Sequence, residues 1–374
     1  MNDSENGSYS FANNLLDNDY SIIAERDGDD VNGLSTLDMV LITRHILGLS
    51  LLDSPYKVIA ADANNDERVS TVDLVTIKAL VLGVSEDFPN NTSWRFVDPD
   101  FEFINNTNPW PFIEQQMVIN LSQDMMNEDF IGVKIGDVNG SVQANGFTNS
   151  EIRSSGLLSL NVDEARLDRG EEIRIEINSD NFNNYYGFQF TLAHEGLEFT
   201  GIEAGHLDVD ANSIGIFDDK FTMSWFNGNP VNTDETLFSI ILTATQSVEL
   251  SEALALNSSI TKTEAYSGSG FDAHDIELTF NNSALVNDDF ELYQNNPNPF
   301  EESTVIGFSL PEKAAVNFTV YDLTGKVLKQ VEGIYNKGLN QIQVDKSDLN
   351  TSGIFYYRLD SGSFSSTKKM ILMD

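Results

Sequence analysis

The chain has 374 residues, 59 of them acidic and 21 basic, giving a formal charge of −38. Such a charge repels phosphate backbones and anionic bilayers and so argues against nucleic acid as a partner, while 40% apolar residues and 24 Phe are too many for a disordered chain. The lack of any cysteine removes disulfides, thiolate catalysis and Cys-ligated zinc or iron, and no apolar run approaches the ~20 residues that span a bilayer as a helix.

A chain of this length is expected to form two to four compact units. The charge is uneven. Residues 286–374 hold eight basic and twelve acidic residues, so −34 of the −38 lies in the first 285. The N-terminal stretch MNDSENGSYSFANNLL has no basic start followed by an apolar run; residues 1–20 read as a leader or linker, and the signal peptide of an exported protein is expected upstream of Met1.

A duplication follows. Ser35-Thr36-Leu37-Asp38 and Ser70-Thr71-Val72-Asp73 stand 35 residues apart, and each precedes an apolar-periodic stretch that ends in Leu-Gly, at Leu47-Gly48 and Leu82-Gly83. Apolar spacings of three and four, through Val40, Leu41, Ile46 and Leu47 and through Leu74, Ile77, Leu80 and Val81, predict a short helix after each acidic loop, closed by a Gly cap.

The second loop runs from Asp62 to Asp73. Calcium takes six to eight oxygens, and a 12-residue loop gathers positions 1, 3, 5, 7, 9 and 12 around one point. Those positions hold Asp62, Asn64, Asp66, the Arg68 carbonyl, Ser70 and Asp73. Glu67 occupies position 6, where the turn favours positive φ. In the first repeat the same count gives Asp27, Asp29, Val31, Gly33, Ser35 and Asp38; Val31 cannot ligate, Asn32 at position 6 tolerates positive φ, and Asp30 is placed to supply the missing oxygen. The competing reading of either loop is an acidic N-cap before a helix. The arrangement over about residues 22–86 resembles the type I dockerins, which have two calcium loops with Asp at position 12, each followed by a helix ending in Leu-Gly. The resemblance implies Ca2+ as cofactor and a cohesin, a β-sandwich, as protein partner. We assign residues 21–87 to this unit.

Residues 88–149 turn to aromatics and prolines without helical period, including Trp94, Phe96, Phe101, Trp110 and Pro111, and read as an irregular extension packed on the repeats. From 150 to 285 the period becomes two, as in Phe188/Phe190/Leu192, Phe221/Met223/Trp225 and Ile276/Leu278/Phe280. That alternation predicts an antiparallel sandwich with one face of each strand buried and one wet. The segment resembles a cohesin-type or related carbohydrate-binding sandwich, which implies docking of the helical unit onto such a sandwich, within or between chains. Tyr185, Tyr186, Trp225 and Phe226 read as core, or alternatively as a sugar-stacking platform. His206 to Asn212 reads as an Asx-rich loop, or alternatively a further cation site. His45, His194, His206 and His274 show no triad or zinc spacing, and no nucleophile or acid-base pair stands out, so no catalytic residue is assigned.

Residues 286–374 repeat the strand logic on a smaller scale, with about seven strands and turns at Asp322–Gly325 and Asp360–Ser363. Leu292-Tyr-Gln-Asn-Asn-Pro297-Asn298-Pro299-Phe300, Gly307-Phe-Ser-Leu-Pro311, Val320-Tyr-Asp-Leu-Thr-Gly325, Gly353-Ile-Phe-Tyr-Tyr357-Arg358 and Lys368-Lys369-Met-Ile-Leu372 resemble, block by block, the type A sorting domain of type IX secretion cargo in Bacteroidota. The resemblance implies recognition by type IX secretion machinery after export through the inner membrane, and an extracellular or outer-surface location. The whole reads as a mainly β, multidomain protein: a small α calcium-loop domain, then two antiparallel β-sandwiches. Its expected role is non-catalytic binding or scaffolding; the alternative is a carbohydrate-binding accessory region of a polysaccharide-degrading enzyme whose catalytic domain lies upstream.

Overall fold

Each Ser-x-x-Asp block starts a helix because its first and last residues cap one another. In the computed structural model, helix α1 (Thr36–Ile46) and helix α3 (Thr71–Val81) begin with reciprocal boxes, Ser35 with Asp38 and Ser70 with Asp73. They end at Gly48 (φ +67°) and Gly83 (φ +72°), where a side chain would be strained. Helix α2 (Pro55–Ala61), which the periodicity did not predict, lies between them, with Pro55 at its first turn and the Ser54 hydroxyl accepting from Tyr56 N. The structure describes residues 8–11, 14–126, 128–143, 154–281, 290–311, 313–336, 338–349, 351–362 and 364–373; the boundaries expected near 150 and 285 fall outside them.

The chain divides into two compact units, residues 1–162 with 167–279, and residues 163–166 with 280–374. In the first, Met39, Ile42, Leu74 and Ile77 of α1 and α3 share a core with Val58 and Ile59 of α2 and with Phe88, Val97, Val133, Ile135 and Val138. The aromatic extension is therefore packed on the repeats, but it is not wholly irregular. Trp94–Val97 pairs with Ile131–Lys134, and Tyr20–Ile23 pairs with Gln115–Val118, both antiparallel. Leu47, expected on the buried stripe, is exposed, and Met39 and Ile42 fill that role instead.

The rest of this unit is two sheets face to face, antiparallel as expected except at one edge, where Leu157–Asp163 runs parallel to Asp272–Asn281, with Asp275 N donating to Gly156 O at one end and Glu164 N to Asn281 O at the other. One is seven-stranded, ordered Ile214–Ile216, Lys220–Val231, Tyr185–His194, Glu264–Ser267, Asp272–Asn281, Leu157–Asp163, with Leu254–Asn257 also on Tyr185–His194. The other is three-stranded, Glu172–Ile177, Phe238–Ala244, Leu197–Ala204. Phe188 meets Phe238 and Phe221 meets Phe199 between them, at ring-centroid distances of 6.2 and 4.7 Å. One expectation is corrected: the central strand Tyr185–His194 is buried on both faces rather than wet on one, because α1 packs on its polar side.

In the second unit Glu291–Leu292, Ser303–Leu310 and Gly338–Asp345 form one sheet, and Val327–Tyr335, Ala314–Tyr321, Gly353–Ser361 and Phe364–Leu372 another. Ile306, Phe308 and Val344 of the first share a core with Phe318, Tyr357, Leu359 and Met370 of the second. The turn at 322–325 closes on Asp322 Oδ1, which accepts from Thr324 N and Lys326 N at 2.8 and 3.1 Å, with Gly325 at φ +85°.

Candidate functional site

The Asp62–Asp73 loop folds around its own carboxylates. Asp62 accepts from Asp66 N and Glu67 N at 3.0 Å each, and Asp73 accepts from Asn64 N at 3.1 Å on one oxygen and from Ser70 N at 2.7 Å on the other. Glu67 does adopt positive φ, +63°. Hydrogen bonds thus link Asp62, Asn64, Asp66, Ser70 and Asp73 within the loop. Burial, Asp73 and Asp66 push Asp62 up to about 6, and burial raises Asp73 also. No three His, Cys, Asp or Glu side chains converge as a metal cluster among the described residues, so any ion held here draws on amide, hydroxyl and carbonyl oxygens as well. That donor set suits a hard cation such as Ca2+.

The first repeat differs. Asp27 Oδ1 accepts from Gly28 N and from Ser93 N, 3.0 Å each, and the exposed Asp29 from the Asn32 amide at 2.7 Å. Positive φ falls on Gly28, Asp29 and Gly33 rather than on Asn32. Asp38 is fully buried; burial first and Asp137 second push it up to about 8.

These raised values set a pH dependence. A carboxyl whose folded pKa exceeds its unfolded value binds more protons when folded, so its stabilising effect is complete near pH 4 and is lost as pH rises through the folded value. For Asp62 that is about 3 kcal/mol between about pH 4 and pH 6. Calcium-stripped protein is therefore expected to resist urea better at pH 4.5 than at pH 7.5, and Asp62→Asn to remove the part that arises below about pH 6, leaving the part due to Asp38. The opposite order in stripped protein contradicts this account of the loop.

The helical repeats lie against the polar side of the seven-stranded sheet. Thr36 N, at the start of α1, donates to Gln189 Oε1 at 2.6 Å, and the Thr36 and Ser224 hydroxyls are 2.7 Å apart. At the end of α3, the Thr222 hydroxyl donates to Leu82 O and the Thr261 hydroxyl to Val81 O, both at 2.6 Å. Arg44 donates to Gly228 O at 2.7 Å and lies 5.5 Å over the rings of Tyr186 and Phe271. The contact is close: a Cβ at Gly187 would stand 2.7 Å from the Thr36 methyl, and one at Gly215 2.7 Å from Leu82 O. The hydroxyl and amide residues of these strands were missed as functional. Their signal was that a face read as wet carried Gln189, Thr191, Thr222 and Ser224 with no charge.

Tyr185, Tyr186 and Trp225 are buried and Phe226 is half-buried beneath Lys78, so they form no exposed platform. Asp210 binds Asn212 N at 2.9 Å within its own turn, as an Asx-rich loop does, and His206 faces Glu235 at 3.1 Å. His194 is buried, with Nδ1 2.9 Å from Leu197 O.

In the second unit the proline motif and the chain end hold each other. Phe300 N donates to Ile371 O at 3.0 Å, Met373 N to Phe300 O at 2.8 Å and Ile371 N to Asn298 Oδ1 at 2.9 Å. The buried Tyr357 hydroxyl accepts from Asn295 N at 2.9 Å and donates to Tyr293 O at 2.8 Å, while Asn295 and Thr304 bind Pro297 O. Tyr357 and Tyr356 stand opposite Lys368 and Lys369 on the last strand, Gly353 opposite Leu372, and Arg358 pairs with Asp360 at 2.8 Å. Five blocks far apart in sequence thus meet in one small domain. Residues 295–373 match the family described as secretion system C-terminal sorting domain. This segment is similar to a sorting domain.

The sorting domain marks a secreted or cell-surface protein. Its Pro297–Phe300 motif and Lys368–Leu372 strand are a single hydrogen-bonded assembly rather than two separate peptides. No curated protein matches the chain. Among solved structures, the chain is similar to a non-cellulosomal cohesin from the archaeon Archaeoglobus fulgidus, at 14% identity over 33% of this chain and 90% of that one, TM-score 0.26. It is also similar to the sixth cohesin of scaffoldin B from Acetivibrio cellulolyticus in complex with a Cel5 dockerin, at 13% identity over 34% and 99%, TM-score 0.27, and to the Coh-OlpC-Doc435 complex of Clostridium thermocellum, at 11% over 35% and 94%, TM-score 0.28. No helix among the described residues is long and apolar enough to cross a membrane.

Proposed function

We propose that residues 21–279 are a non-catalytic, calcium-binding module in which a dockerin-like helical repeat is docked in cis on a cohesin-like sandwich, delivered to the cell exterior by type IX secretion machinery through the sorting domain at 286–374. The contact of Thr36 with Gln189 and Ser224, matched at the other end by Thr222 and Thr261 on the α3 carbonyls, carries this reading. Specific buried hydrogen bonds from the sandwich to both helix ends are what a recognition surface needs, since each costs stability when left unmade. The loop oxygens of Asp62, Asn64, Asp66, Ser70 and Asp73, with the Arg68 carbonyl, are the ligands assigned to the calcium ion. The aromatic residues read as a sugar platform, Tyr185, Tyr186 and Trp225, are buried and so give the sugar-binding alternative no support.

The experiment is a urea titration of the Thr222→Val, Thr261→Val double variant. Each substitution keeps volume and leaves a buried helix carbonyl without its donor, at about 1–3 kcal/mol apiece. A midpoint equal to that of the unsubstituted chain removes the support for the docked reading.

A further inference from the structure

We propose that a second cation site is assembled from two segments a hundred residues apart, with Asp137, Asn139 and Ser141 as the first, third and fifth ligands and the Gly33 carbonyl, Ser35 and Asp38 as the seventh, ninth and twelfth. It rests on the calcium reading of the Asp62–Asp73 loop and replaces Asp27 and Asp29 of the contiguous first loop.

The residues follow the same order as in the other loop. Asp137-Val-Asn139-Gly-Ser141 parallels Asp62-Ala-Asn64-Asn-Asp66, and Gly33-Leu-Ser35-Thr-Leu-Asp38 parallels Arg68-Val-Ser70-Thr-Val-Asp73. The hydrogen-bond frame is also shared. Asp62 accepts from the fifth and sixth amides of its loop; Asp137 accepts from Gly140 N, Ser141 N and Val142 N at 2.7, 3.1 and 2.8 Å. Asp73 takes the third amide, Asn64 N, on one oxygen and Ser70 N on the other. Asp38 takes Asn139 N at 3.1 Å and Val138 N at 2.9 Å on one oxygen and Ser35 N at 3.0 Å on the other. The two segments close on each other through Ser141 Oγ, which donates to Gly33 O at 2.9 Å, and a Cβ at Gly33 would lie 2.9 Å from Asp137 Oδ2.

An observation outside the frame points to a ligand. The Asn139 side-chain oxygen, at the third position, is buried and has no hydrogen-bond donor among the described residues, while its amide nitrogen lies 3.4 Å from Asp38 Oδ2. Beside it the Asp38 and Asp137 carboxylates are 0% and 7% exposed. The nearby ammonium of Lys134 donates to Asp30 O and Ile135 O, at 2.8 and 3.1 Å, rather than to either carboxylate. Two buried carboxylates and an orphaned carbonyl oxygen are costly together unless a cation joins them. An all-oxygen set with two carboxylates selects a hard divalent ion, Ca2+, over zinc. Asp27, by contrast, is committed to Ser93 N.

The test is the number of calcium ions bound by the intact chain, stripped and then titrated, by native mass spectrometry and calorimetry. Two ions are expected. Asp137→Asn with Asn139→Ala should leave one, Asp27→Asn with Asp29→Asn should leave two, and Ser141→Asp, which adds the carboxylate that Asp66 supplies in the other loop, should tighten one site by about tenfold. The inference is overturned if the 27/29 pair removes an ion while the 137/139 pair does not, or if only one ion binds and Asp62→Asn abolishes it. The absence of any bound calcium sinks the calcium reading as a whole.

Discussion

A periplasm-directed fluorescent protein carrying residues 286–374 at its C-terminus is expected outside a host with an active type IX system, and in the periplasm once that system is disabled. Removing Lys368–Asp374 should abolish export outright. The deletion takes away the half of the last strand that pairs with Gly353–Tyr357 and leaves that stretch of edge unpaired, and it strips Phe300 and Asn298 of their partners Ile371 and Met373. Lys368→Ala with Lys369→Ala keeps every one of those backbone bonds. Loss of export in the double variant assigns recognition to charge; retention assigns it to the folded assembly. Equal export with and without residues 286–374 contradicts the sorting role.

Saturating calcium is expected to raise the melting temperature of the full chain. An ion that binds only the folded state contributes about 2.7 kcal/mol per site at 100 times Kd, and since the unit that holds the loop is larger than the 150–250 residues for which each kcal/mol shifts Tm by about 2–4 °C, one site gives about 5 °C. Asp62→Ala with Asp73→Ala should remove the part due to the second loop, since both oxygens of each carboxylate organise that loop. Calorimetry that finds the same Tm with chelator and with excess calcium refutes calcium binding by the folded repeats.

Much of this was legible in sequence where the cause is local. The Ser-x-x-Asp boxes, the Leu-Gly helix ends and the positive φ required at Glu67 are decided within a turn of chain, and the period of two marks Phe188, Phe190, Phe221 and Trp225 as core. What could not be read is what depends on a distant surface. Gln189, Thr222 and Ser224 look like a wet face until helices 150 residues earlier cover them. Helix α2 carries Val58, Ile59, Ala60 and Ala61 as one apolar run without a polar stripe, because α1, α3 and the extension enclose it. Asp137 and Asn139 lie outside any local count from Asp38; only the fold brings Val138 N and Asn139 N to its carboxylate.

The central claim, that the helical repeat is held on the sandwich of its own chain by the Thr36 and Thr222/Thr261 contacts, is tested most directly by cutting the connection. With a protease site placed between residues 144 and 153 and cleaved in calcium, the account predicts that fragments 1–143 and 154–374 elute together from a sizing column under native conditions. Separate elution of the two fragments would contradict it.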